Sequence, residues 1–191
     1  MSRFPPISAD VDPSRDDPGM NAIAAEAIST ERLELLPLRV EHAEEMAVVL
    51  SDPALHTFIG GAPATESTLR TRYQRLTAGS PDLAVSWLNW VIRLREEDCL
   101  TGTVKATVST SGDGAFAEIA WVVGTPWQGR GIATEAVRDL VDWLCRQPVQ
   151  DVIAHIHPDH QASAAVAIAA GLTPTDEMHE GEIRWRRALE P

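Results

Sequence analysis

The segment Gln128-Gly129-Arg130-Gly131-Ile132-Ala133 has a composition suited to holding an anion. It lies between an apolar, β-branched run, Glu118 to Val123, and a stretch of helical period that begins at Ile132. Gly124, Thr125 and Pro126 break the strand before it. A helix that starts in this way leaves its first backbone N–H groups without intrahelical partners, and its dipole adds a positive field at the same place. Gly129 and Gly131 lack a Cβ, so an anion can approach the backbone closely, as in a pyrophosphate cradle. An ordinary turn before a helix uses similar residues. A dinucleotide fingerprint is also close, but Thr134 stands at its third glycine and the unit comes late in the chain. A P-loop is excluded, because no Gly-Lys-Ser/Thr follows.

Other residues could do chemistry nearby. Glu118 opens the strand that feeds the loop, and its carboxylate can take a proton from an amine, directly or through water; a solvated or salt-bridged glutamate reads the same way. His155 and His157 share one face of a later strand, but a third metal ligand with suitable spacing is missing, so no metal site is expected. Cys99 and Cys145 form no CxxC or Cys/His cluster and read as reduced, buried thiols. Trp87 and Trp90 are candidates either for a pocket wall or for packing.

The elements that must place these residues follow from pattern. The chain has 191 residues, 44% of them hydrophobic, enough for one domain with a proper core. Its net charge of −12 argues against a nucleic-acid partner. No apolar run is long enough to span a bilayer, and the start of the chain has no secretory apolar core; a cytoplasmic protein without a membrane partner is expected. Residues 1–29, rich in Pro, Asp and Ser, read as a disordered arm, with one domain over 30–191. A first strand is expected over Leu33 to Val40, then helices over Glu41 to Leu50 and Glu66 to Ala78, the second capped by Thr65. His56 to Pro63 reads as a loop between them. Trp87–Arg95, Leu100–Ser109 and Phe116–Val123 form an antiparallel meander. A helix from Ile132 to about Arg146 leads to a parallel fifth strand over Val152 to His157. A helix over Gln161 to Ala170, with Asp159 as its cap, and a closing hairpin complete an α+β, mixed α/β fold.

Gln128 to Ala133 matches Q/R-x-x-G-x-G/A, the acyl-CoA loop of the GNAT acetyltransferase superfamily, and TERLELLPLRVEHAEEMAVVLSDP resembles the opening of its ribosomal-protein N-terminal acetyltransferase-like (RimJ/RimL-like) branch. PDHQASAAVAIAAGL resembles that family's P-x-N-x-x-S…G-F segment, with His160 in place of Asn and Leu172 in place of Phe. Ser163 matches, and Ala167 stands where many members carry the Tyr that protonates the leaving thiolate.

The resemblance implies a single GNAT-like domain, a mostly antiparallel sheet with helices on both faces, and a splay between the fourth and fifth strands after a bulge near Val122 and Val123. It implies acetyl transfer from acetyl-CoA, as co-substrate, to a primary amine of a small molecule or a protein N-terminus, by direct attack in a ternary complex; a homodimer fits the same picture. Cofactor contacts then fall on Val122, Val123, Gln128, Gly129, Arg130, Gly131, Ala133, Thr134, His160 and Ser163. Glu118 is the candidate base, and the backbone N–H near Val122 is placed to stabilise an oxyanion. His56 and Phe58 are candidates for the acceptor side by position. A non-catalytic acyl-CoA-binding or interaction module of the same fold is the alternative.

Overall fold

The computed structural model describes residues 23–111 and 114–189. One eight-stranded sheet runs in the order β1-β2-β3-β4-β5-β6-β8-β7. Its strands are β1 (Ile28–Ser29), β2 (Leu33–Pro37), β3 (Val85–Leu94), β4 (Cys99–Ser111), β5 (Gly114–Val123), β6 (Asp151–Ile156), β7 (Thr173–His179) and β8 (Glu182–Ala188). Every neighbouring pair is antiparallel except β5 and β6. The helices are α1 (Ala43–Val49), α2 (His56–Ile59), α3 (Glu66–Thr77), α4 (Ile132–Leu144) and α5 (Gln161–Ala169).

Alternation along the meander sends side chains to two cores. Leu88, Trp90, Ile92, Val104, Ala106 and Ile119 bury on one face, where α4 brings Ile132, Ala136, Val137, Leu140 and Leu144 and α5 brings Val166 and Ala167. The apolar residues of α4 recur at helical spacing and so form a single stripe. Val91 and Leu100 bury on the other side against Ala43, Met46 and Val49 of α1 and Leu69 and Tyr73 of α3. The expected mixed sheet with helices on both faces is thus the observed architecture. Thr65 caps α3 as expected, its hydroxyl accepting from the Thr68 N–H at 3.3 Å.

Four local expectations need correction. His56 to Ile59 is a short helix instead of loop. The residue that caps α5 is His160, which makes no side-chain capping bond, instead of Asp159. The β4–β5 register runs unbroken from Gly102↔Val123 to Ser111↔Gly114, so no bulge interrupts β5 at Val122 and Val123; the irregularity lies between β3 and β4, at Ile92 and Arg93. The carbonyl of Val122 instead lies 2.2 Å from where a Cβ at Gly102 would stand, an approach only glycine allows. The cysteine thiols are free, but Cys145 is exposed and Cys99 half-buried.

The first part of the expected arm, residues 1–22, lies outside the described residues. Its last part belongs to the domain. Ile28 is buried, β1 pairs with β2, and the Trp90 indole N–H donates to the Glu26 carbonyl at 2.7 Å. Proline and acidic content hid this, because only one residue of the stretch carries a deeply buried side chain.

Candidate active site

The sheet opens where β5 meets β6. The two strands pair only at Phe116↔Asp151, Ala117↔Val152 and Glu118↔Ile153, while β5 continues to Val123 and β6 to Ile156. The far edge of β6 is occupied by β8, so β6 follows that partner and diverges from β5. Backbone groups of β5 beyond Glu118 therefore face an open V instead of a neighbouring strand, a setting in which an extended ligand can pair like a partial strand. A cleft of about 760 Å³ occupies this V and extends under α2 and α3.

At the head of the V, the chain turns into the glycine loop. The Gln128 side-chain amide donates to the Val123 carbonyl at 3.0 Å and ties the loop to the strand end. Gly129 and Gly131 have φ of 71° and 76°, in the left-handed region, and Gly131 is the N-cap of α4 without a side-chain cap. The N–H groups of Gly131 to Thr134 have no backbone acceptor among the described residues. Ala133 packs on the core, and Thr134 is half-buried in the first turn. Both loop guanidiniums are engaged. Arg130 pairs with Glu97 at 2.7 Å, and the Trp127 indole donates to the same carboxylate at 3.0 Å. These bonds, Arg130's first, hold the Glu97 carboxyl below its usual range. Arg32 pairs with Glu135 at 2.7 Å and also donates to the Arg130 carbonyl at 3.1 Å. Anion binding here therefore rests first on the backbone and the helix dipole.

Deeper in the V, the Glu118 carboxylate accepts from His155 Nδ1 at 3.1 Å. The histidine side chain is 16% exposed and the glutamate 49%. Glu118 and His155 meet because β5 and β6 pair in register up to Glu118↔Ile153, which puts both side chains on one face. The sequence signal for His155 was its place on the expected fifth strand; its partner required the register. His160 stacks on Phe58 with ring centroids 4.2 Å apart. Burial, and secondarily His157, push the His160 imidazole below its ordinary value, which keeps it neutral at the helix start, where a positive charge would be unfavourable. Ser163 lines the same wall.

Across the cleft stand His56 and Phe58 of α2, as their positions suggested. His56 Nδ1 donates to the Gly60 carbonyl at 2.9 Å, which leaves the lone pair on Nε2, a buried atom without a partner among the described residues. Tyr73, the only tyrosine in the chain, lines the cleft from α3. Burial pushes its phenol up, so it carries its proton at neutral pH. Trp87 is not part of the cleft lining; Trp90 lines it, with its ring buried in the core edge-on to Trp143, so it serves both readings. Ala167 is fully buried. No cluster of three potential metal ligands occurs among the described residues.

A family model described as "Acetyltransferase (GNAT) domain" matches residues 32–173. The chain belongs to the GNAT acetyltransferase family. It is 29% identical over 119 residues to an uncharacterized N-acetyltransferase p20 of Bacillus licheniformis, a match that spans 62% of this chain and 65% of that relative. The fold is similar to a GNAT-family acetyltransferase of Bacillus anthracis (TM-score 0.72, 19% identity, 87% of this chain and 100% of that one). It is similar also to a RimL ribosomal L7/L12 alpha-N-protein acetyltransferase solved with coenzyme A (TM-score 0.70, 18% identity, 86% and 98%). That enzyme is one of the ribosomal-protein acetyltransferases that the opening segment resembles. Within this GNAT fold, the V between β5 and β6 and the glycine loop above it are where the sequence placed the cofactor contacts. Arg32 and Tyr73, which the sequence did not single out, join them here, as does His155, which it raised only as a metal ligand.

Proposed function

We propose that this protein is an acetyl-CoA-dependent N-acetyltransferase that moves an acetyl group to a primary amine by direct attack in a ternary complex. The observation that carries the reading is the continuity of the open β5 edge with the uncapped α4 N-terminus. One supplies strand-like partners for the pantetheine amides, and the other supplies N–H groups for the pyrophosphate. Coenzyme A in the RimL structure is in line with this. Gly129, Gly131, Ala133 and Thr134 then border the phosphates, with Gln128 fixing the loop and Arg130 reaching them after leaving Glu97. Val122 and Val123 border the pantetheine, with His160 and Ser163 on the opposite wall.

Glu118, steadied by His155, takes the proton from the acceptor ammonium, since only the free amine is a nucleophile. The amine attacks the thioester carbonyl carbon. The unbroken β4–β5 register and the Val122 carbonyl at Gly102 turn the Val122 backbone toward β4, so the oxygen on which charge develops meets a V-facing N–H next to it, that of Trp121 or Val123, instead of the one expected at Val122. The carbon–sulfur bond breaks and the thiolate takes a proton. Ala167 has none to give, and Tyr73 is the proton-bearing side chain of the cleft suited to give it. Such a protein works in the cytoplasm, where acetyl-CoA is made; no helix among the described residues is long and apolar enough to cross a membrane.

Ala167 also favours the second reading, a non-catalytic acyl-CoA-binding module. An amine screen followed by thiol release, with the mass of the product measured, decides between them. Thiol released in step with an acetylated amine supports transfer. Acetyl-CoA binding without release supports the module.

A further inference from the structure

Lys105 is the only lysine in a chain of net charge −12. It lies near the middle of β4, exposed, on the strand face that floors the cleft. Asn89 is its register partner on β3 and Ala120 its partner on β5. Glu118, two residues from Ala120, is therefore its diagonal neighbour on the same face, roughly 7–8 Å away. From α3, Arg72 and Arg75 line the same cleft, spaced to share one side of the helix. None of the three cations has an ion pair among the described residues; Arg138, Arg146 and Arg187, elsewhere on the surface, are unpaired too, but only in this cleft do three such cations line one concavity, whereas Arg32, Arg70, Arg93, Arg130 and Arg186 each have a partner. The acids on the cleft wall are Glu118 and Glu182. An acidic protein that gathers three unpaired cations in one concave place has made that place attractive to an anion.

We infer that the acceptor is a small amine bearing an anionic group, carboxylate or phosphate, a few bonds from its nitrogen. The anion sits on Lys105, with Arg72 and Arg75 above it, and the nitrogen sits at Glu118. The diagonal spacing of Lys105 and Glu118 sets the size: it spans a molecule on the scale of an amino acid or an aminoalkyl phosphate, and a polycationic amine would meet three like charges. The inference rests on the acetyl-transfer reading of the same site.

The test uses the full chain and thiol release with matched acceptors. Alanine and β-alanine form the carboxylate arm and 2-aminoethyl phosphate the phosphate arm; ethylamine and propylamine are the uncharged counterparts, and spermidine is the polycation. Wild type should favour members of one anionic arm by about 10- to 100-fold in kcat/KM, the range expected for a charge-assisted contact. In Lys105→Met, which keeps the stem and breaks no ion pair, that preference should collapse through KM, with acetyl-CoA affinity by calorimetry unchanged. Lys105→Glu should shift preference toward spermidine. Equal use of neutral amines, preference for spermidine in wild type, or an unchanged ratio in Lys105→Met overturns the inference and leaves acetyl transfer standing. Acetyl-CoA binding with no turnover of any acceptor overturns it also. Failure to bind acetyl-CoA at all overturns the functional reading, and the inference falls with it.

Discussion

Glu118, half-exposed, and His155, largely buried, form a pair whose value to the reaction lies in proton handling. Amine acceptors are mostly protonated at neutral pH, with a pKa of about 8 for an α-amine and about 10 for an alkyl amine. Glu118→Gln keeps shape and strand fit and removes the acceptor. We expect normal acetyl-CoA binding and a fall in kcat within the ~10²–10⁴-fold range of a positioned base. Part of the loss should return as pH rises and free amine accumulates. A pH–rate profile from pH 6 to 9 that matches wild type would move the base to His56, whose Nε2 lone pair is unused, or to water. Tyr73→Phe tests the other end of the reaction. Its phenol is raised by burial, so it is protonated below its ordinary value of about 10 and stays so somewhat above it. The variant should lose kcat toward the lower end of the same ~10²–10⁴-fold range, with no new pH dependence between 6 and 9. Unaltered kcat would show that solvent protonates the thiolate.

The glycine loop and the start of α4 act as a unit, and its charges are held in reserve. Arg130 is bound to Glu97, and Arg32 to Glu135, so each guanidinium must leave a carboxylate before it can add to a phosphate contact. Both pairs are partly exposed, which makes the exchange inexpensive. Glu97→Gln should free Arg130 and tighten acetyl-CoA modestly, as expected when an exposed pair is removed. Titration calorimetry at low and high salt checks this, and the gain should shrink at high salt as screening grows. Unchanged affinity at low salt would mean that Arg130 does not face the phosphates. The same element explains why the loop was legible in advance and its neighbours were not. Glycine spacing before a helix is local, whereas Arg32 reaches the loop from the bend between β1 and β2, almost a hundred residues earlier in the chain.

For the whole molecule, the stretch just before the first expected strand is a structural part of the domain. Removing residues 1–29 deletes β1, exposes the site of Ile28 and leaves the buried Trp90 indole N–H without its acceptor at Glu26. An unsatisfied buried donor costs about 1–3 kcal/mol and an exposed aliphatic side chain about 1.5–3 kcal/mol. The truncated protein should therefore melt well below the full chain, by about 2–4 °C for each kcal/mol lost in a domain of this size. Scanning calorimetry on both proteins checks this. Coincident transitions would return residues 23–29 to the arm that composition suggested.

Whatever depends on near neighbours in the chain was legible in its residues. The alternation of Trp87–Arg95, Leu100–Ser109 and Phe116–Val123 specified strands, and short polar turns between them left only an antiparallel meander. The apolar stripe of α4, the Thr65 cap and the Gly129-x-Gly131 loop were legible for the same reason. Which distant side chains meet depended on the assembled sheet. Cross-strand register joined Glu118 to His155 and set Lys105 diagonal to Glu118, and no local pattern encodes that alignment. The expected bulge at Val122 and Val123 failed similarly: the backbone irregularity fell on β4, where Gly102 lets the Val122 carbonyl come close. Trp90 had two readings that its type could not separate, and strand pairing gave it both, a ring in the core and a place under the cleft. Periodicity fixes which residues share a face, but pairing between strands far apart in the chain is set by the free energy of the whole sheet and its two cores.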